Sequence, residues 1–168
     1  MEEDYESDIV DMLTHIDVRT RMPSDFREGS PQVVQFLSEM ATYINTLVVG
    51  EFGGRLGPVR QVGLVEQVVG AAFQTFGDLD PHPGPFDKAA MLLRGITAGH
   101  PFQDGNKRTG FLLAVFYLEQ LGHPPPEHLS VDDTEHLCLR ISAGELRDVT
   151  AIADELQRLW QGSSDHAT

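Results

Sequence analysis

Lysine is nearly absent from this chain of 168 residues, with Lys88 and Lys107 its only examples. Counting arginine, 12 cations face 26 carboxylates, a formal charge of −14. So acidic a chain repels phosphate backbones, which excludes a general nucleic-acid binder. Cysteine is scarcer still: Cys138 stands alone, so no intramolecular disulfide can form and the fold must rest on its core. No apolar run approaches the roughly 20 residues of a membrane helix, and no basic segment leads into an apolar one at the start. A cytoplasmic chain with neither membrane nor nucleic acid as partner is expected. Convincing period-two alternation is also missing, as are repeats and low-complexity tracts, which leaves little room for a sheet.

What remains is helical periodicity broken by glycine and proline. Residues 1–18 hold seven acids and no lysine or arginine, yet Ile9, Leu13 and Ile16 fall at helical spacing, so an acidic amphipathic arm is expected. MPSDFREGSP interrupts the chain before QVVQFLSEMATYINTLV, where Val34, Leu37, Met40, Ala41, Ile44 and Leu47 share one helix face. EFGGRLGP reads as a loop, and VRQVGLVEQVVGAAFQTF as a second helix with Val62, Val65, Val69 and Phe73 along one side. GDLDPHPGP is too rich in glycine and proline for a helix and predicts a turn or short extended flap. PFDKAAMLLRGITAGH is helical again. GNKRTGFLLAVFYLEQLG is apolar on nearly all sides from Phe111 to Leu118, the pattern of a buried central helix, and stops near Gly122. Ser130 would cap SVDDTEHLCLRISAG, and ELRDVTAIADELQRLW is the last amphipathic helix. The sum predicts an all-α domain of six to eight helices around the central one.

The chemistry concentrates in HPFQDGNKRTG, residues 100–110. A helix starting near Gly105 offers first-turn N–H groups without intrahelical partners, at the positive end of the macrodipole. Gly105 would let a phosphate approach the backbone, and Lys107 with Arg108 would add two charges beside it. Asp104 either caps the helix or holds a divalent cation that rides with a nucleotide's phosphates. Asn106 either donates to a phosphate or fixes the loop, and Thr109 is expected on the helix surface or back-bonded locally. His100 can fold back over the same anion site as a proton acceptor for an incoming hydroxyl. An ordinary helix start explains the same letters. It would, however, place two cations against the dipole, each costing roughly 0.3–1 kcal/mol, which a bound anion would offset.

This stretch resembles the Fic motif, H-x-F-x-D/E-G-N-G/K-R-x-x-R, and in particular its Doc branch, where lysine follows the asparagine and the closing arginine is missing. FGGRLGPVRQVGLVEQ, FDKAAMLLRGITAGHPF and SAGELRDVTAIADEL resemble other segments of that branch, so the likeness spans about residues 33 to 160. It implies a Fic/Doc-type helical bundle with a short flap before the motif helix. It divides the chain into an acidic arm over 1–30, a catalytic domain over 31–162 and a flexible tail over 163–168. It implies His100 as the base, Asp104 as the Mg²⁺ ligand, Gly105 and Asn106 as the frame of the anion hole, and Lys107 and Arg108 as holders of ATP phosphates. Phe102 would anchor the loop by packing, and GDLDPHPGP would clamp an extended target segment.

Two departures from the AMP-transferring pattern bear on the reaction. Lys107 replaces a glycine, and Phe111 stands where the closing arginine would hold a γ-phosphate. The Doc branch is known for the reversed nucleotide, with the γ-phosphate presented to a hydroxyl. The resemblance therefore implies a protein kinase using ATP and Mg²⁺, a toxin of a toxin–antitoxin pair with a small antitoxin as partner and a translation factor such as elongation factor Tu as target. Gly105, where the branch's namesake has alanine, keeps protein adenylyl transfer as the alternative, and a catalytically idle Fic-fold binding protein is the third reading. SDFREG fits a loose self-inhibitory pattern, but Glu28 would lack its arginine partner. His82, His123, His128 and His136 have no metal-ligand spacing and read as loop or surface residues, His82 being the one placed to touch a target. Cys138, Leu156, Leu159 and Trp160 read as packing.

Overall fold

The computed structural model describes residues 29–55 and 61–162. Six helices follow in order: α1 Pro31–Phe52, α2 Leu64–Ala71, α3 Pro85–Gly99, α4 Asn106–Gln120, α5 Val131–Ser142 and α6 Val149–Gln161. No strand occurs among the described residues, and the fold is all-α. None of these helices is long and apolar enough to cross a membrane. Residues 1–28 of the expected arm, with Ile9, Leu13, Ile16 and Glu28, and the expected tail lie outside the described residues.

Local chemistry explains the helix boundaries. Ser30 Oγ accepts the Val33 N–H at 3.3 Å and Pro31 opens α1, which ends where Gly53 takes φ +80°. Pro85 opens α3, and the Asp87 carboxylate accepts the Gly84 N–H at 3.2 Å. Ser130 caps α5 as expected, accepting the Asp133 N–H at 3.2 Å, with Asp132 and Asp133 at the positive end of its dipole. Two expected starts move. The second helix begins at Leu64, because Gly63 sits in the left-handed region at φ +81°, and Val62 is left 94% exposed outside it. The last helix begins at Val149 rather than Glu145: Gly144, at φ +74°, ends the preceding turn, and Asp148 Oδ2 accepts the Ala151 N–H at 2.9 Å.

The core forms around α4. Every side chain from Phe111 to Leu118 is buried, so this helix has no solvent face over two turns. Helix α3 lies along it most extensively, α1 and α5 cover other sides, and α6 packs on α3. Truncating a wholly buried residue such as Leu113 to alanine would cost about 2–5 kcal/mol. Gly110 permits the close crossing of α3 and α4: a β-carbon there would meet Thr97 Oγ1 at 2.7 Å and the Leu93 carbonyl at 3.0 Å. Trp160 packs edge-on against Phe86 and donates Nε1–H to the His123 carbonyl at 3.0 Å. His123 itself packs on Phe86 and is half-buried, less exposed than its loop position implies.

Candidate active site

The motif occupies the turn from α3 into α4. His100 ends α3 in the left-handed conformation at φ 47°, the only described non-glycine residue with positive φ, and its N–H still reaches the Ile96 carbonyl at 3.2 Å. Such a conformation costs a residue with a β-carbon about 1–2 kcal/mol, so the surrounding turn has to hold it. Phe102, only 2% exposed, anchors that turn. The Phe102 N–H donates to Asn106 Oδ1 at 3.0 Å and Asn106 Nδ2 donates back to the Phe102 carbonyl at 3.1 Å. Asn106 thus takes the loop-fixing of its two expected roles.

Helix α4 starts with its donors uncovered. No side chain caps it, because Gly105 is the N-cap residue. Asp104 does not cap either: its Oδ2 accepts the Arg55 N–H at 2.7 Å, from the glycine-rich segment after α1. Gly54 is needed there, since it has φ +128° and a β-carbon would stand 3.1 Å from Asp104 Cβ. The reason for Gly105 differs from the expected one. Its φ is +76°, and an added β-carbon would point at Val48, Asn45 and Val49 of α1, 3.1–3.4 Å away, rather than at an incoming phosphate. Lys107 and Arg108 are exposed in the first turn, and neither forms an ion pair with a described residue. Arg108 is steadied instead by the Phe52 ring, its guanidinium carbon 4.3 Å from the ring centre.

A cleft of about 1040 Å³ opens over this end of α4. His100, Asp104, Gly105, Asn106, Lys107 and Arg108 all line it, so the six residues singled out in the sequence share one cavity. The opposite wall is the start of α5, with Ser130, Asp132 and Glu135. Phe111 reaches the cleft floor but is 2% exposed and presents no charge. Cys138 also lies along the cleft, and burial pushes its thiol up to about 12, which removes it as a nucleophile at neutral pH. No group of three or more possible metal ligands exists among the described residues. Asp104, which lines the cleft at the start of α4, is a carboxylate of the kind that can share Mg²⁺ with phosphate oxygens.

Several expectations change. GDLDPHPGP does form a short turn, in which Phe76 and Leu79 exchange backbone hydrogen bonds of 2.8 and 3.2 Å. It leads into the N-terminal end of α3, however, while His100 closes the other end; 15 helical residues, about 22 Å, separate the two. The clamping role expected of that turn, and target contact by His82, do not fit this position. The segment after α1 touches the motif instead, through Gly54 and the Arg55 N–H at Asp104. Thr109 is wholly buried rather than on the helix surface, and its hydroxyl accepts from Asn45 Nδ2 at 3.1 Å. Asn45, Phe52 and the Arg55 N–H are parts of the site that sequence reasoning missed. The available signal was Asn45 itself, a polar residue beside Ala41, Ile44 and Val48 on the apolar face of α1.

Comparison with known proteins gives a consistent result. A protein-family profile described as "Fic/DOC family" matches residues 35–118. A protein named Toxin Doc from Mycolicibacterium smegmatis is 35% identical over 105 residues, 62% of this chain and 79% of that one. A Fido domain-containing protein of Dictyostelium discoideum is 34% identical over 76 residues, 44% of this chain and 53% of that one.

Proposed function

The chain belongs to the Fic/DOC family, within its Doc branch, and from that premise we propose that it transfers the γ-phosphate of ATP to a hydroxyl of a target protein. The observation that carries this reading is position 111. An arginine there would draw the γ-phosphate away from the attack point, whereas Phe111 is packed into the core and offers no charge. Lys107, at the same end of the cleft, supplies a cation where AMP-transferring relatives have glycine. Adenylyl transfer drew its support from Gly105, and that glycine is accounted for by its φ and by the closeness of α1.

In this reading His100 takes the proton of the target hydroxyl. The oxygen attacks the γ-phosphorus in line, the bond from that phosphorus to the β,γ-bridging oxygen breaks, and ADP leaves. The first-turn N–H groups of α4, Lys107 and Arg108 hold the phosphates and balance the charge that develops on them. Mg²⁺, held by Asp104 together with phosphate oxygens, would neutralise charge further. Asn106 and Phe102 keep the loop in the shape that aims those donors.

The likeness to a protein named Toxin Doc supports a toxin restrained by an antitoxin, and the target proposed for it is a translation factor such as elongation factor Tu. Incubation with candidate targets and Mg-ATP labelled at the α- or the γ-phosphate tests the reaction. Transfer of γ-label alone is expected. Transfer of α-label would replace the kinase reading with adenylyl transfer, and no transfer to any target would favour an idle binding protein.

A further inference from the structure

We infer that Asn45, on α1, is a positioning residue that aims the Gly105 N–H into the cleft. The inference rests on the reading above that the first turn of α4 holds phosphate. Asn45 is 6% exposed and spends both hydrogens of its amide on the motif, one on the Asp104 carbonyl at 2.8 Å and one on Thr109 Oγ1 at 3.1 Å. The first bond fixes a peptide plane. The Asp104–Gly105 peptide is trans, so its C=O and N–H point in opposite directions. With the carbonyl drawn towards α1, the Gly105 N–H must point away from α1, on the side where Gly105 lines the cleft. Backbone pairing leaves that N–H unused: the Gly105 carbonyl accepts from Thr109 at 2.9 Å, while its N–H donates to no described backbone group.

The second bond adds leverage. Thr109 lies in the first turn of α4, so one amide ties the loop and the helix it opens to the same point on α1. Asp104 is consequently held at two places, its carbonyl by Asn45 and its carboxylate by the Arg55 N–H. Losing Asn45 would free the peptide plane to rotate and leave Gly105 donating in an unspecified direction. Lys107 and Arg108 would remain in place, so binding should weaken rather than vanish.

The test follows the Gly105 amide resonance of the full chain by NMR during titration with Mg-ATP. In the unaltered protein that resonance is expected to shift on binding. In Asn45→Ala the Gly105 shift should be lost and Kd should rise roughly 10- to 100-fold, the worth of one hydrogen bond to a charged group. Asn45→Asp keeps the shape but, when ionised, has no hydrogen for the Asp104 carbonyl; it should behave likewise if Asn45→Ala does not fold. Thr109→Val removes only the second partner and should leave Kd within about twofold, since the peptide plane stays held. A folded Asn45 variant that binds Mg-ATP with unchanged Kd and an unchanged Gly105 shift would overturn the inference alone, as would Thr109→Val weakening binding equally. An unaltered protein whose residues 104–108 ignore Mg-ATP would instead overturn the phosphate-site reading and take the inference with it.

Discussion

The two ends of α3 treat positive charge in opposite ways. At its start, Lys88 is 5% exposed and fully committed: Nζ donates to Asp80 Oδ2 at 2.7 Å and to the Ala72 carbonyl at 3.4 Å, and lies 5.5 Å from the centre of the Phe73 ring. That hydrogen bond holds the Asp80 carboxyl below the usual carboxylate range. At the other end, beyond His100, Lys107 and Arg108 stand exposed at a helix start that disfavours them, and neither forms an ion pair with a described residue. A chain with two lysines thus uses one to pin a turn and leaves the other exposed at the proposed site. The difference separates charge that stabilises the fold from charge that the fold carries at a cost to its own stability.

Substitutions at the two ends should separate cleanly. His100→Asn, which keeps a residue tolerant of positive φ, should lower phosphate transfer by roughly 10²–10⁴-fold while leaving the melting temperature nearly unchanged; a variant with full transfer would remove His100 as the base. Lys88→Met should do the reverse. It is expected to cost about 1–3 kcal/mol of unfolding free energy in urea titration and leave Mg-ATP affinity alone. A loss of affinity without a loss of stability would erase the contrast between the ends. Lys107→Met should be neutral or stabilise by about 0.3–1 kcal/mol, since it removes a cation from a helix start, yet weaken Mg-ATP binding measured by calorimetry.

Acidification sharpens the same contrast more gently. Asp80 is depressed in the folded state, so its pairing contributes stability above the unfolded carboxylate value of about 3.9 and loses it as pH falls through the lower folded value. The stability gap between the unaltered protein and Lys88→Met should therefore be full at neutral pH and shrink below about pH 4. Any small difference between the unaltered protein and Lys107→Met should not shrink in that way, since Lys107 forms no ion pair with a described residue.

Much of this was legible locally. Periodicity marked the six helices of the described residues, and Ser130 and Gly122 set boundaries where expected. The motif's spacing brought His100 and Asp104 to Arg108 into one cavity because those residues are consecutive and the turn between α3 and α4 is short. What failed was long-range or conformational. Val62 fits a helical face, but the left-handed Gly63 after it ends the pattern. Thr109 looks like a surface residue until Asn45, 64 positions away, accounts for its burial. The Arg55 N–H on Asp104 spans 49 residues and involves a main-chain donor that no side-chain motif can advertise. GDLDPHPGP reads as a turn, but the turn begins earlier, at Phe76, which the sequence places in the preceding helix, and its distance from the motif depends on the whole length of α3.

The burial of α4 from Phe111 to Leu118 on every side has a consequence for motion. A helix with no free face cannot roll or slide without opening the core, so its amides should be among the slowest to exchange with solvent, doing so only near global unfolding. The first turn of that helix carries the groups proposed above to hold phosphate. The floor of the cleft is thereby tied to the most persistent part of the molecule, and adjustments that admit a ligand or release a product fall to the less deeply packed walls: the start of α5 on one side and Phe52, at the end of α1, on the other.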